Sequence, residues 1–315
     1  MTIITKFTRQ LGLNHPVMSA PMGTVSGGRL AAAVSNVGGL GMVGVGYGNK
    51  EWLRRELELV RKSTNRPWGV GFITWCITQE IFDLVMAYAP HVVMFSFGDM
   101  SPWVKQVKAK NIPVFSQVHD LNGAIDAHSK GADFIVAQGS EAGGHGTGAR
   151  GTFSLVRGIK KQSLNLPIIA AGGIADGATL AAALNTGADA VSMGTRFYAS
   201  FEAFADYRMK ERLVECSGDD TIRTEVFDIV REIAWPKGYN ARAITNKFVA
   251  LWHGNERDLK LFKTKHKPKY LHAQEHADPK IAAVWAGEGI DYINDIKDAA
   301  DIVREVIKTA KIKLI

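Results

Sequence analysis

Three glycine-rich segments hold the residue types and spacings that suit chemistry. The longest, Gln138-Gly139-Ser140-Glu141-Ala142-Gly143-Gly144-His145-Gly146-Thr147-Gly148, sets one histidine among five glycines. Histidine is the side chain whose ordinary titration lies nearest neutrality. In a mobile loop that reaches a ligand, His145 suits proton transfer or the holding of charge. The second segment is Ala171-Gly172-Gly173-Ile174-Ala175-Asp176-Gly177, and the third is Met193-Gly194-Thr195-Arg196-Phe197. Glycine lets a backbone approach a ligand closely and aim its N–H groups at it. One Gly-Gly pair alone reads equally well as a tight turn. Two such turns, in the loops after the last two of the eight predicted strands, where a barrel usually holds a phosphate, favour one held by Gly172, Gly173, Gly194 and Thr195.

Other chemistries lack their residues. Cys76 and Cys216 stand far apart with no second cysteine or histidine at a zinc spacing, which excludes a disulfide framework and a CxxC motif. His272 and His276 are four apart but have no third ligand, so no metal is expected. No nucleophile elbow supports a serine hydrolase. Glu141 has no clear carboxylate partner, and Gly39–Gly46 opens no helix as a dinucleotide fingerprint would. His15, His91, His128 and His253 read as structural; His119, at a strand end, reads the same way with a site-facing position as its alternative.

The elements that position these segments alternate. Short, continuously apolar runs read as strands buried on both faces: Pro16–Ala20, Gly39–Val45, Trp68–Ile73, His91–Phe97, Ile112–Val118, Ala132–Gln138, Pro167–Ala171 and Ala188–Met193. Helical patterns follow them at Gly28–Ser35, Trp52–Lys62, Gln79–Tyr88, Pro102–Lys110, Leu121–Lys130, Phe153–Gln162, Asp176–Asn185 and Phe201–Cys216. Eight β/α units in series predict an α/β fold, a (β/α)8 TIM barrel over residues 1–218. Function in such a barrel sits at the C-terminal ends of the strands, where all three glycine segments fall. Beyond Cys216 the alternation stops. Residues 219–285, with no clear strands, read as a mostly helical cap, and residues 286–315 as a segment whose helix, Tyr292–Lys311, packs back on the barrel.

The 315 residues, 46% hydrophobic and 22% charged, argue against disorder and allow a large core without staples. No apolar run reaches the roughly 18–20 residues that cross a bilayer, and the N-terminus has no signal-peptide pattern. A cytoplasmic protein is the expectation. The net charge of +7 is concentrated in Lys260–Lys269, which reads as a solvated basic loop; without interleaved aromatics it does not point to nucleic acid.

The runs Gly139-Ser-Glu-Ala-Gly-Gly-His145-Gly, Ala170-Ala-Gly-Gly-Ile-Ala-Asp-Gly177 and Met193-Gly-Thr-Arg-Phe197 resemble the nitronate monooxygenase family, formerly the 2-nitropropane dioxygenases. Pro16-Val-Met-Ser-Ala-Pro-Met22, Arg242–Phe248 and Ala286–Ile290 are similar to its first strand and late motifs, so the likeness spans essentially the whole chain. The resemblance implies an FMN-dependent barrel enzyme that oxidises alkyl nitronates with O2, releasing nitrite and a carbonyl compound, with nitroalkanes left open as further substrates. It implies that Gly172, Gly173, Gly194 and Thr195 hold the FMN phosphate. Ala20, Pro21 and Met22 would lie along the flavin ring, and Gly71, Gln138, Ala142, Gly143, Gly144 and Ala171 would touch the cofactor. Gln117 falls where many bacterial members carry a lysine, so a neutral amide would replace a cation there. His145 matches the family's catalytic histidine, deprotonating a nitroalkane or, when protonated, holding a nitronate. Met22, Phe72, Trp75 and Phe97 would shape a small apolar site. The implied partners are the small-molecule substrate and O2, with no nucleic acid or membrane; a homodimer is compatible. Flavin-dependent enoyl-acyl-carrier-protein reductases and NADH:quinone reductases share the barrel and the glycine–histidine loop, and form the alternative. A flavin-binding protein without turnover is the third reading, disfavoured by the intact His145 and glycine loops.

Overall fold

The computed structural model describes residues 2–314; Met1 and Ile315, the outer ends of the expected segments, lie outside them. A short helix, α1 (Lys6–Leu11), precedes the repeating units. These run β1 (Val17–Ser19), α2 (Gly28–Asn36), β2 (Gly41–Gly44), α3 (Lys50–Ser63), β3 (Trp68–Ile73), α4 (Gln79–Met86), β4 (Val92–Ser96) and α5 (Ser101–Lys108). They continue with β5 (Val114–Val118), α6 (Leu121–Ser129), β6 (Phe134–Gln138), a short extra strand β7 (Gly144–Gly146), α7 (Thr152–Lys160), β8 (Ile168–Ala171), α8 (Gly177–Thr186), β9 (Ala190–Met193), α9 (Thr195–Tyr198) and α10 (Tyr207–Glu215). Last come β10 (Thr221–Thr224), α11 (Val226–Arg231), β11 (Asn240–Ile244), α12 (Lys247–Trp252), α13 (Glu256–Glu275) and α14 (Ala299–Lys313).

Eight strands are parallel neighbours in the order β1-β9-β8-β6-β5-β4-β3-β2. The Leu40 N–H donates to Val17 O at 2.9 Å and the Ser19 N–H to Leu40 O at 3.0 Å, joining the two ends of the sheet. The result is the (β/α)8 barrel that the alternation predicts. Because side chains alternate along a strand, each strand sends every second residue inward. The lower inward positions are apolar: Met42, Val92, Met94, Phe115, Phe134, Val136 and Ile169 form one buried cluster. Phe7 of α1 closes that cluster from below, edge-on to Phe115 and Phe134 at 6.3 and 6.0 Å. One rung higher the inward residues turn small or polar, namely Gly71, Ser96, Gln117, Gln138, Ala171 and Ser192, and these border a cavity. The barrel is therefore packed at its base and open at its top by choice of side chain.

The later elements differ from expectation in four ways. The predicted helix over Phe201–Cys216 begins only at Tyr207, where the Asp206 side chain accepts the Arg208 N–H as an N-cap. The helix expected from Tyr292 starts at Ala299, after a 3-10 turn over Glu288–Tyr292. The basic run Lys260–Lys269 is no loop but lies inside α13, where Lys263 and Lys267 both pair with Glu232. Finally, the stretch 219–285 does contain strands. β10 pairs antiparallel with β11, and β11 with β7. β7 lies within the glycine–histidine segment, so His145 sits on a pinned strand opposite Ala241 rather than on a mobile loop. α11, α12 and α13 bury Phe227, Val230, Phe248, Leu259 and Tyr270 as a cluster of their own beside this sheet. No helix among the described residues is long and apolar enough to cross a membrane.

Candidate active site

A cavity of about 480 Å³ opens at the C-terminal ends of the barrel strands. It is bordered by every site residue named from the sequence: Ala20, Pro21, Met22, Gly71, Gln117, Gln138, Ala142, Gly143, Gly144, His145, Ala171, Gly172, Gly173, Gly194 and Thr195. Of the four residues expected to shape an apolar site, Met22, Phe72 and Phe97 line it, while Trp75 stands behind Tyr47 and Trp235. Gly71 serves partly by omission, since a Cβ there would fall 2.3 Å from Pro21 Cγ.

At one end the two glycine turns meet. Gly172 and Gly173 have φ of 118° and 67°, a region that favours glycine. Gly194, with φ −97°, needs no such freedom. A Cβ built on it would rest 3.6 Å from Ala20 Cβ and 3.7 Å from Met22 Sδ, in ordinary contact, so further atoms would enter the cavity. The N–H groups of Gly173 and Gly194 donate to nothing among the described residues. The Thr195 hydroxyl accepts the Gly287 N–H at 3.0 Å, leaving its proton for another acceptor. Free amides on glycine backbone fit a phosphate. Glu141, the acid of the motif, is used structurally: its carboxylate accepts the Thr152 N–H and hydroxyl at the start of α7.

The floor is an amide network. The Gln138 side-chain carbonyl accepts from Gln117 Nε2 at 3.1 Å and faces His119 Nε2 at 2.7 Å. Burial lowers the His119 pKa, so the neutral ring donates from Nε2. This places His119 behind the site, holding Gln138, in keeping with its structural reading. The Gln138 amide protons and the Gln117 carbonyl have no protein partner. They present donors and an acceptor to the polar edge of a planar heterocycle without supplying a charge.

The opposite wall carries His145. Its Nε2 lies 2.9 Å from Asp228 Oδ2, and its ring stacks on Trp235 with centroids 3.6 Å apart and planes 8° from parallel. The other Asp228 oxygen accepts from Arg231 Nη2 at 2.7 Å. A carboxylate only accepts, so Nε2 bears the proton and Nδ1 keeps its lone pair, with no protein partner. Burial pulls the His145 pKa below its ordinary 6.5, against the upward effect of Asp228. The ring is therefore neutral at neutral pH and ready to accept a proton. The segment bearing it is fastened by two guanidinium groups of the small sheet. Arg223 donates to Ser140 O at 3.1 Å and to Ala142 O at 3.3 Å, and Arg242 to Ser140 O at 3.3 Å. Burial and the neighbouring Arg242 bring the Arg223 pKa down to about 10.

Asp228, Arg231, Trp235 and Tyr47 carry no catalytic motif of their own. The i,i+3 spacing of Asp228 and Arg231 on α11 was visible in the chain, but the meeting of Asp228 with His145, 83 residues away, depends on the β7–β11 pairing. The pKa shift gives a pH prediction. A reaction that needs neutral His145 keeps its kcat/KM down to below pH 6.5 and loses it as the ring protonates. Asp228→Asn removes the influence that raises this pKa, so the acid limb moves lower still. The rate falls about tenfold to a hundredfold, since the imidazolium formed on proton transfer loses its counter-charge. A kcat/KM profile against pH checks both.

Comparison with known proteins gives a consistent set of likenesses. A family model described as nitronate monooxygenase matches residues 5–75 and 74–309. Nitronate monooxygenase npaC of Metarhizium robertsii is 31% identical, covering 94% of this chain and 90% of that protein. A probable nitronate monooxygenase of Staphylococcus aureus is 29% identical over 90% and 91%. Among solved structures, FabK from Thermotoga maritima superposes with a TM-score of 0.85 at 30% identity over 99% and 98% of the two chains. A nitroalkane oxidase from Streptomyces ansochromogenes gives 0.82 at 26% identity over 97% of each.

Proposed function

The chain belongs to the nitronate monooxygenase family of oxidoreductases, and from that premise we propose that it is an FMN-dependent enzyme converting alkyl nitronates, and nitroalkanes once His145 has deprotonated them, with O2 to a carbonyl compound and nitrite. The observation that carries the reading is the pairing, in one cavity, of a base at His145 Nδ1 with a glycine cradle bearing free amides. FMN, when bound, supplies the electron transfer between the organic substrate and oxygen. Gly172, Gly173, Gly194 and Thr195 would hold its phosphate. Ala20, Pro21 and Met22 would border its ring, with Gly71, Ala142, Gly143, Gly144 and Ala171 around it. Gln117 and Gln138 would meet the polar edge as neutral amides.

The chain's own part is positional and protonic. His145 Nδ1 accepts the proton from the carbon beside a nitro group, and Asp228 steadies the imidazolium that results. Trp235 fixes the plane of the ring by stacking, and Tyr47, Phe97 and Trp235 wall the entry with aromatic surface. The test is aerobic turnover of an alkyl nitronate, with nitrite and the carbonyl compound formed in equal amounts and oxygen consumed. Nitrite formation that proceeds unchanged without oxygen contradicts the reading.

The likeness to FabK supports a second reading, an NAD(P)H-dependent flavin reductase of the same fold. The extension of the cavity to Leu271 and Gln274 on α13 would give a longer substrate room.

A further inference from the structure

Among the described residues, Arg231 is the one Asp, Glu, Lys or Arg side chain lining the cavity, and no carboxylate lines it. Asp228, its counter-charge, lies behind the wall and is shared with His145. Two of the three guanidinium nitrogens are used by the protein: Nη2 on Asp228 at 2.7 Å and Nε on Phe227 O at 3.0 Å. Nη1 has no partner. The group is fixed further by lying 5.4 Å over the Trp285 ring. Tyr47 is also in the lining. Its hydroxyl oxygen accepts the Trp235 indole N–H at 2.9 Å, and its proton is unused. Trp235 in turn stacks on His145, which shares Asp228 with Arg231, so one chain of contacts joins the phenol to the guanidinium.

We propose that Arg231 Nη1 and the Tyr47 hydroxyl bind the anionic head of the organic substrate beside His145, making this wall a specificity-determining anion site separate from the glycine cradle. It rests on the nitronate reading and divides the labour within it. The neutral His145 carries no charge to hold an anion, so the permanently charged guanidinium does so. A planar two-oxygen head, a nitronate or a carboxylate, fits a guanidinium edge and one phenol donor. A neutral nitroalkane draws little from that cation.

The test uses the flavin-loaded enzyme and nitrate, a planar, redox-inert anion, as a calorimetric probe. It adds steady-state kinetics with propyl-2-nitronate and with 2-nitropropane. Tyr47→Phe should weaken nitrate about threefold to tenfold and Arg231→Met about thirtyfold or more. Arg231→Lys, which keeps the charge beside Asp228, should fall between them. KM for the nitronate should rise in parallel, and by several-fold more than KM for the neutral nitroalkane in Tyr47→Phe and Arg231→Lys. Equal effects on both substrates would assign Arg231 a structural role and overturn the proposal, as would loss of flavin in these variants. If Arg231→Met fails to fold, Tyr47→Phe and Arg231→Lys decide alone. Nitrate binding that depends on Arg231 in an enzyme inert to nitronates would sink the nitronate reading and keep the anion site. Turnover of nitronates with nitrate indifferent to both residues would do the reverse.

Discussion

His145→Ala should purify as a yellow, folded protein that has lost about a hundredfold to ten-thousandfold of its turnover on neutral nitroalkanes. The fold should survive because His145 belongs to β7 through its backbone: the strand's pairing with β11 and the Arg223 and Arg242 bonds to Ser140 and Ala142 use no imidazole atom. The cofactor should survive because the glycine turns follow β8 and β9 and owe nothing to the imidazole. The chemistry should not, since the only lone pair aimed by Asp228 is removed. Preformed nitronates, which have already given up their proton, should lose markedly less. The comparison of kcat/KM for a nitroalkane and its own nitronate measures this. Equal losses on both would show that proton abstraction is not what His145 does.

The second large effect is expected at Gly194. Gly194→Val should yield a folded, colourless protein with flavin affinity reduced about a hundredfold or more. The backbone there, at φ −97°, accepts valine, and the neighbours Ala20 and Met22 tolerate a Cβ. The γ-carbons would then occupy the cavity where the cofactor phosphate must approach. Gly173 is a poorer test, because φ of 67° strains valine whatever the ligand. Flavin content and thermal unfolding, measured on the same preparation, separate exclusion of the cofactor from misfolding. A Gly194→Val protein with a full flavin complement would move the phosphate elsewhere.

The barrel was legible because its signal is local. Each strand is a short apolar run and each helix has its own period; at Trp68–Ile73 the expected and observed strand bounds agree. The glycine cradle was legible for the same reason, being two turns at fixed places after strands. What escaped is non-local or polar. β10 and β11 read Thr-Ile-Arg-Thr and Asn-Ala-Arg-Ala-Ile, strands whose arginines reach back to another loop and whose apolar residues are too few to make a run. Ala241 and Ala243 alternate with Arg242 at the period of a strand, a faint sign at most. α13 was hidden by its lysines and Pro268, although Leu259, His266, Tyr270 and Ala273 keep a helical spacing. Asp228 and Arg231 could not be placed without knowing that β7 exists. The sequence therefore marked the base and not the residues that aim it.

The central claim is that this cavity passes electrons from a nitronate, rather than from a nicotinamide, into its flavin. The most direct measurement is rapid mixing of the purified yellow enzyme, without oxygen, with propyl-2-nitronate and separately with NADH. The proposed function predicts fast loss of the flavin's visible absorbance with the nitronate, nitrite on readmission of oxygen, and little response to NADH. Fast bleaching by NADH with none by the nitronate would contradict it and place the chain with the reductases of this fold.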